Sequence, residues 1–440
     1  MWIALSVVPA RATEPYNVIV PTGVPATDTI NLITAVASCA SPKTVFLGEG
    51  TFKIVLTINM PAGCTVSGPV TGSPTASSAG TQNTVVDCSG LANTVPCFGL
   101  NTSAVITGFT IIGNGSTPLS NTNCADEESS TGGVVITHMI FRNCGAGINY
   151  GNPSGCCAQN MRVVDVTFLN NGYGMYTHDN ATDAYFSDLT VISPTTAGIY
   201  GGGFSNAWNR ITVTGVPHGA IGLDMSGGSG GPVTDVSVDG GTCIKIGAYD
   251  FGGIRCAGDG GTNEYCVDFP GSTNLVQMVG IVCSGGYNGS GSGIIAETGS
   301  GGCSSNCNLD ITWNGTDPLY NNTQAEADMD YVRYTHPVGY APITLTGSAF
   351  AVPDFQNGYN KTFALTSACP CTLPFPTILA DGTGGYFAFT QDSTGGRTVT
   401  WGTFYQNTAQ PLSTANKTTW FPWVVRTDLN AIVLGPSFHN

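Results

Sequence analysis

The residues best equipped for chemistry lie on short alternating segments between Asn149 and Glu297. Asp224, Asp268 and Glu297 supply carboxyl groups, Lys245 supplies one of only 13 basic side chains, and Tyr176 and Tyr200 supply aromatic faces. Two carboxyl groups flanking one bond are what glycosidic hydrolysis requires, about 5 Å apart for retention or about 6.5 to 9.5 Å for inversion. Flat rings with a polar tip suit sugar rings, and Asn149, His178 and Arg255 add hydrogen-bonding groups around them. Elimination on uronate sugars would instead need a base beside cations that neutralise the substrate carboxylate. Lys245 with Arg255 is the available set, and no second lysine accompanies them, so hydrolysis is the stronger expectation.

These residues share a surface only if the backbone stacks them, and the strand rhythm says that it does. "GFTIIGN", "HMIFRNC", "DVTFLNN", "DLTVISP", "RITVTGV", "DVSVDGG" and "VGIVCSG" are short period-2 segments that end in Asn, Ser, Asp or Gly. Each is followed by a shorter strand such as "GINYG", "GMYTH", "GIYGG", "AIGLD", "CIKIG", "CVDFP" or "GIIAE". The first inward residue of that second strand is read as Ile148, Met175, Ile199, Ile221, Ile244, Val267 and Ile294, in steps of 27, 24, 22, 23, 23 and 27. Strands at this period without intervening helices indicate a solenoid, because one rung cannot bury its own apolar face. The expected fold is all-β, a right-handed parallel β-helix.

Stacking places Asn149, Tyr176, Tyr200, Lys245 and Asp268 in one outward column, with His178, Asp224 and Glu297 in a second column beside it. Asp268 and Glu297 then lie about 8 Å apart at Cα, and Asp224 and Asp268 nearer 12 Å. The plainer reading of Lys245 is a surface ion that neutralises its acidic neighbours at small energetic value. Asn114, Asn143, Asn171 and Asn314 fall at the corner after the first strand, where an amide serves turn geometry and stacks as a ladder.

Composition limits the partners. A net charge of −15, with 28 acidic against 13 basic residues, argues against nucleic acid. No run reaches the ~18 apolar residues of a membrane span. Residues 1–20 read as an N-terminal segment, a possible signal remnant without a basic region. Sixteen cysteines point either to disulfides or to buried thiols filling the core. No zinc spacing occurs and no cofactor is required by any motif. Calcium is conceivable at Asp126, Glu127 and Glu128, read as a loop overhanging the outward face.

The chain ends carry the family signals. Residues 28–40, "DTINLITAVASCA", read as a short amphipathic helix capped by Thr27 or Asp28, followed by the strands "KTVFLGEGTFKI" and "LTINMPAGCTVSG". Residues 21–340 read as the β-helix, and on these segments roughly residues 20 to 335 resemble the pectate-lyase-like superfamily of right-handed β-helices, although Gly48 stands where that family usually has proline. Beyond residue 341 the rhythm turns antiparallel, with "DSTGGR" reading as a hairpin connection. Residues 341–440 resemble a C-terminal module of bacteriophage tailspikes and tail fibres, on "QDSTGGRTVTW" and "PLSTAN". The resemblance implies a virion or extracellular location, a homotrimer, and a cell-surface polysaccharide as partner. Cleavage of that glycan, attachment without cleavage, and a secreted lyase remain the three functional expectations.

Overall fold

The computed structural model describes residues 18–39, 43–69, 82–117, 122–127, 132–151 and 158–269 without interruption, shorter segments between 273 and 373, and residues 384–426 and 431–439. The N-terminal part is a right-handed parallel β-solenoid of about twelve turns. Every strand pair within it is parallel and joins one turn to the next, as in Val135–Arg142 with Arg162–Leu169 and then Tyr185–Ile192. Alternation explains the burial. In Arg162–Leu169, Val163, Val166 and Phe168 enter the core while Val164, Asp165 and Leu169 stay partly exposed.

Two local features shape each turn. The first strand bends at a left-handed residue, and successive turns place His138, Asp165, Asp188, Arg210 and Asp235 there, with φ between 51° and 57°. Asp is among the few non-glycine residues that tolerate this region readily, which explains why so many first strands open on it. The second strand carries a glycine ahead of its inward residue: Gly147, Gly174, Gly198 and Gly222. A Cβ at Gly147 would meet Phe168, and at the next three would meet Val191, Val213 and Val238. In each case the apolar side chain of the following turn fills the space. Further along, the same position holds Cys243 and Cys266, which bond to Cys256 and Cys283 of the following turn. Disulfide and glycine–valine contact are thus two solutions to one gap.

Cys39–Cys64, Cys88–Cys97, Cys124–Cys144 and Cys369–Cys371 are also bonded, and no free thiol occurs among the described residues. The disulfide alternative therefore holds there. Cys156, Cys157 and Cys307 lie outside the described residues. Corner amides behave differently from the expected ladder. Asn171 accepts from Cys144 N–H and donates to Phe141 C=O, and Asn114 donates to Leu91 C=O. Asn171 thus binds turn backbone, while Asn114 also donates to the Asn93 amide at 2.9 Å; the Asn314 side chain lies outside the described residues.

The helix Pro25–Ala37 packs on Gly50–Lys53 and Ile58–Asn59 and covers the first turns. Its N-cap is Val24, with Pro25 at the first position, so neither Thr27 nor Asp28 caps it. Asp28 is buried and accepts hydrogen bonds from Thr22, Gly23 and Lys53. Burial pushes this carboxyl up, yet those bonds outweigh it and hold the group below its usual range. The helix is fastened to the sheet through its first turn.

A second, separate core of Phe363, Phe387, Phe389, Phe421, Trp423, Ile432 and neighbours forms in the C-terminal region. Its main sheet mixes antiparallel pairs, Gly384–Gln391 with Thr418–Arg426, and parallel pairs, Lys361–Leu365 with Gly384–Gln391. "DSTGGR" is a tight turn, with Asp392 accepting from Thr394 and Gly395 N–H and from Arg397. It does not close a hairpin: Val399–Trp401, the strand after it, pairs with Cys371–Leu373 in another sheet. Among the described residues no helix is long and apolar enough to cross a membrane.

Candidate active site

Register decides which side chains share the outward face. Ile199 pairs with Leu223, not Ile221, and Leu223 pairs with Ile244. Asp224 therefore moves out of the second column and into the first. Val267 pairs with Ile295, not Ile294, so Ala296 follows Asp268 and Glu297 falls opposite Phe269. Glu297 is displaced from the column by that single step. The observed column runs Asp126, Asn149, Tyr176, Tyr200, Asp224, Lys245, Asp268. Arg255 lies elsewhere, on the first strand between Ser237 and Val282, and does not join it.

The first half of the column is closed by side-chain contacts. Tyr176 and Tyr200 stack with centroids 4.5 Å apart and planes 10° from parallel. Tyr173 sits 5.0 Å from Tyr176, and His178 meets Tyr176 edge-on at 4.8 Å. Asn149 donates through Nδ2 to Asp126 Oδ1 at 2.9 Å, and its Oδ1 lies 3.1 Å from His178 Nε2. A carboxylate only accepts, so the amide's oxygen faces the histidine and Nε2 carries the proton. Burial pushes the phenols of Tyr173 and Tyr176 up and that of Tyr200 up to about 12, with Asp224 adding to each. All three remain neutral hydroxyl donors at ordinary pH.

The second half is charged. Asp224 is nearly buried, and its Oδ1 accepts from Ser226 Oγ at 2.5 Å and Ser226 N–H at 3.2 Å. Lys245 stands between Asp224 and Asp268 in register, and no ion pair joins it to either among the described residues. Asp268 Oδ1 is shielded from solvent and has no hydrogen-bond partner there. Burial pushes the Asp268 carboxyl up to about 6; Lys245 pulls it down and Asp224 pushes it up further. Two strand spacings put the Cα atoms of Asp224 and Asp268 about 9.6 Å apart, shorter than the sequence reading gave because both occupy one column. Gly227 passes over the face: a methyl added there would lie 2.5 Å from the Tyr200 hydroxyl.

Tyr173, Asp126 and Ser226 belong to this face but were not legible as such. The acidic run suggests a loop at Asp126, whereas Ala125–Glu127 is a strand that pairs with Ile148–Tyr150. Counting one further period of 23 back from Ile148 reaches Ala125 and would have found it. Glu127 is fully buried, Asp126 is held by Asn149, and Glu128 lies outside the described residues.

Comparison with known proteins bears mainly on the C-terminal region. Residues 351–425 match the family model described as a putative phage tail fibre C-terminal domain. The sequence resemblances hold: a parallel β-helix precedes a tail-fibre-type segment. No curated protein sequence matches the chain. Among solved structures, the A-module of the mannuronan C-5 epimerase AlgE6 from Azotobacter vinelandii is 11% identical with a TM-score of 0.48, over 70% of this chain and 93% of that one. The endo-xylogalacturonan hydrolase of Aspergillus tubingensis is 10% identical with a TM-score of 0.44, over 82% and 100%. ORF18 of Geobacillus virus E2 is 16% identical with a TM-score of 0.38, over 61% and 56%.

Proposed function

We propose that the chain is a phage tail protein that binds a cell-surface polysaccharide along the Asp126–Asp268 column and hydrolyses it with Asp268 as general acid. The observation that carries this reading is Asp268 itself. A carboxyl group with an unpartnered, shielded oxygen, held near pKa 6 beside a second carboxylate, is the form in which a protein keeps an acid protonated for donation. Asp224, whose Oδ1 accepts two hydrogen bonds from Ser226, is the partner that would activate water. A Cα separation of about 9.6 Å, which side chains can shorten, fits the inverting range of about 6.5 to 9.5 Å. Lys245, between them, holds the acid's pKa from rising further and offers a donor to substrate oxygens. The stacked tyrosines bind the adjoining sugars on one flank. Glu297 has no place in this assignment, and neither has Arg255.

Attachment without cleavage is the second reading, favoured by the tail-fibre match of residues 351–425 and by the completeness of the tyrosine half. Trimeric assembly on a virion belongs to both readings and is tested by light scattering. Incubation with a panel of bacterial capsular and exopolysaccharides, with the products sized, separates them. Hydrolysis yields saturated oligosaccharides; an absorbance rise from unsaturated uronate ends would identify elimination; unchanged polymer that still binds would identify attachment alone.

A further inference from the structure

A second cluster of chemically competent side chains lies away from the column, where two insertions in the coil meet. Between Val216 and Ile221 the chain carries Pro217–Ala220 while its partner strand passes with Gly241 alone, and a similar register shift follows Asp259. These excursions from turns two coils apart pass over the short turn between them. They bring His218 to Asp259 and Glu264. His218 Nδ1 lies 2.7 Å from Glu264 Oε1 and 3.4 Å from Asp259 Oδ1, and one donor atom from each residue falls within 4.8 Å of the others.

We propose that His218, Asp259 and Glu264 bind a divalent transition-metal ion of the zinc type. Three arguments support it. The first is composition: Glu264, fully buried, is gathered with His218 and Asp259 so that three side chains of metal-ligating type each offer a donor atom to one place. Buried charges are paired or held on metals. The second is geometry. A tetrahedral ion with bonds of about 2.0 to 2.1 Å needs donor atoms about 3.4 Å apart, which is the His218–Asp259 spacing, and the His218–Glu264 contact has only to open by about 0.7 Å toward that edge. His218 and Asp259 are exposed enough to adjust. The third is support from the backbone. Gly261 N–H holds Glu264 Oε2 at 3.0 Å, which leaves Oε1 facing the histidine, and a Cβ at Gly261 would overlap both Glu264 and His218. Such fixing of the outer carboxylate oxygen is how metal ligands are oriented. One imidazole with two carboxylates selects zinc-like ions over calcium or magnesium, which prefer all-oxygen sets.

The site has a structural consequence. His218 lies six residues before Asp224, and Glu264 four before Asp268, so a bound ion would clasp the two segments that deliver the column's carboxylates. The proposal itself does not rest on the hydrolytic reading. Its test uses untagged full-length protein, dialysed against EDTA and then titrated with zinc chloride, manganese chloride and calcium chloride by calorimetry. One zinc ion per chain at micromolar or tighter Kd is expected, weakened at least tenfold in His218→Ala and in Glu264→Gln, and unchanged in Asp268→Asn. Should Glu264→Gln not fold, Asp259→Asn, on an exposed side chain, carries the same expectation. Absence of zinc binding, binding that both variants retain, or preference for calcium would overturn the assignment.

Discussion

The two halves of the column are built on the same strands at the same spacing, yet they differ in how their side chains are satisfied. From Asp126 to Tyr200, side chains touch their neighbours: carboxylate to amide, amide to imidazole, imidazole to ring, ring to ring. From Asp224 to Asp268 the alternating charges stand in register without contact, and one carboxylate oxygen is left without a partner. The first arrangement is a preformed surface that loses little freedom on meeting a ligand. The second stores an unfavourable interaction, which is what a reacting group needs and what a purely structural surface would have eliminated.

The largest effect expected from breaking this contrast is at Asp268. Asp268→Asn should lower polysaccharide cleavage by about a hundredfold or more, the usual contribution of a general acid, while leaving binding intact; initial rates and a pull-down on the same polymer check both. The same change should stabilise the fold. Because the folded carboxyl titrates at about 6 against 3.8 unfolded, the unfolded chain loses its proton first as pH rises, and native stability falls between those values. The asparagine variant should therefore melt above the wild type at pH 8 and match it at pH 3.5, as calorimetry would reveal.

A smaller change is expected in the other half. Tyr176→Ala or Tyr200→Ala should weaken glycan binding by roughly three- to tenfold, the scale of one aromatic contact, with kcat held within about twofold. Gly227→Ala should resemble Tyr200→Ala without removing the ring. Smaller again is Lys245→Met: the Asp268 carboxyl loses the cation that lowers it, so the pH optimum should move upward in a rate profile. A variant whose optimum moves down would show that Lys245 acts otherwise.

How much of this could be read in advance follows from which features are periodic. The solenoid was legible because burial requires alternation within strands and near-constant length between them. The stacked tyrosines were legible for the same reason, since "GMYT" and "GIYG" align without ambiguity. Asp224 was misplaced because "AIGLD" offers Ile221 and Leu223 with equal parity; Gly222, which must admit Val238, is the mark that settles it. Glu297 was lost to a different ambiguity, a one-residue slip between the adjacent Ile294 and Ile295 that exchanges the two faces of the strand. Asp126 hid in an acidic run that reads as loop. The His218 cluster follows from insertions, and insertions obey no period.

The measurement that tests the central claim most directly is the product profile of Asp268→Asn beside that of the Tyr176→Ala, Tyr200→Ala double variant on a polysaccharide the wild type degrades. Asp268→Asn should hold the polymer and release no oligosaccharide, and the double variant should release the same oligosaccharides at higher substrate concentration. Undiminished cleavage by Asp268→Asn, or a wild type that degrades nothing it binds, would contradict a column divided into a binding half and a reacting half.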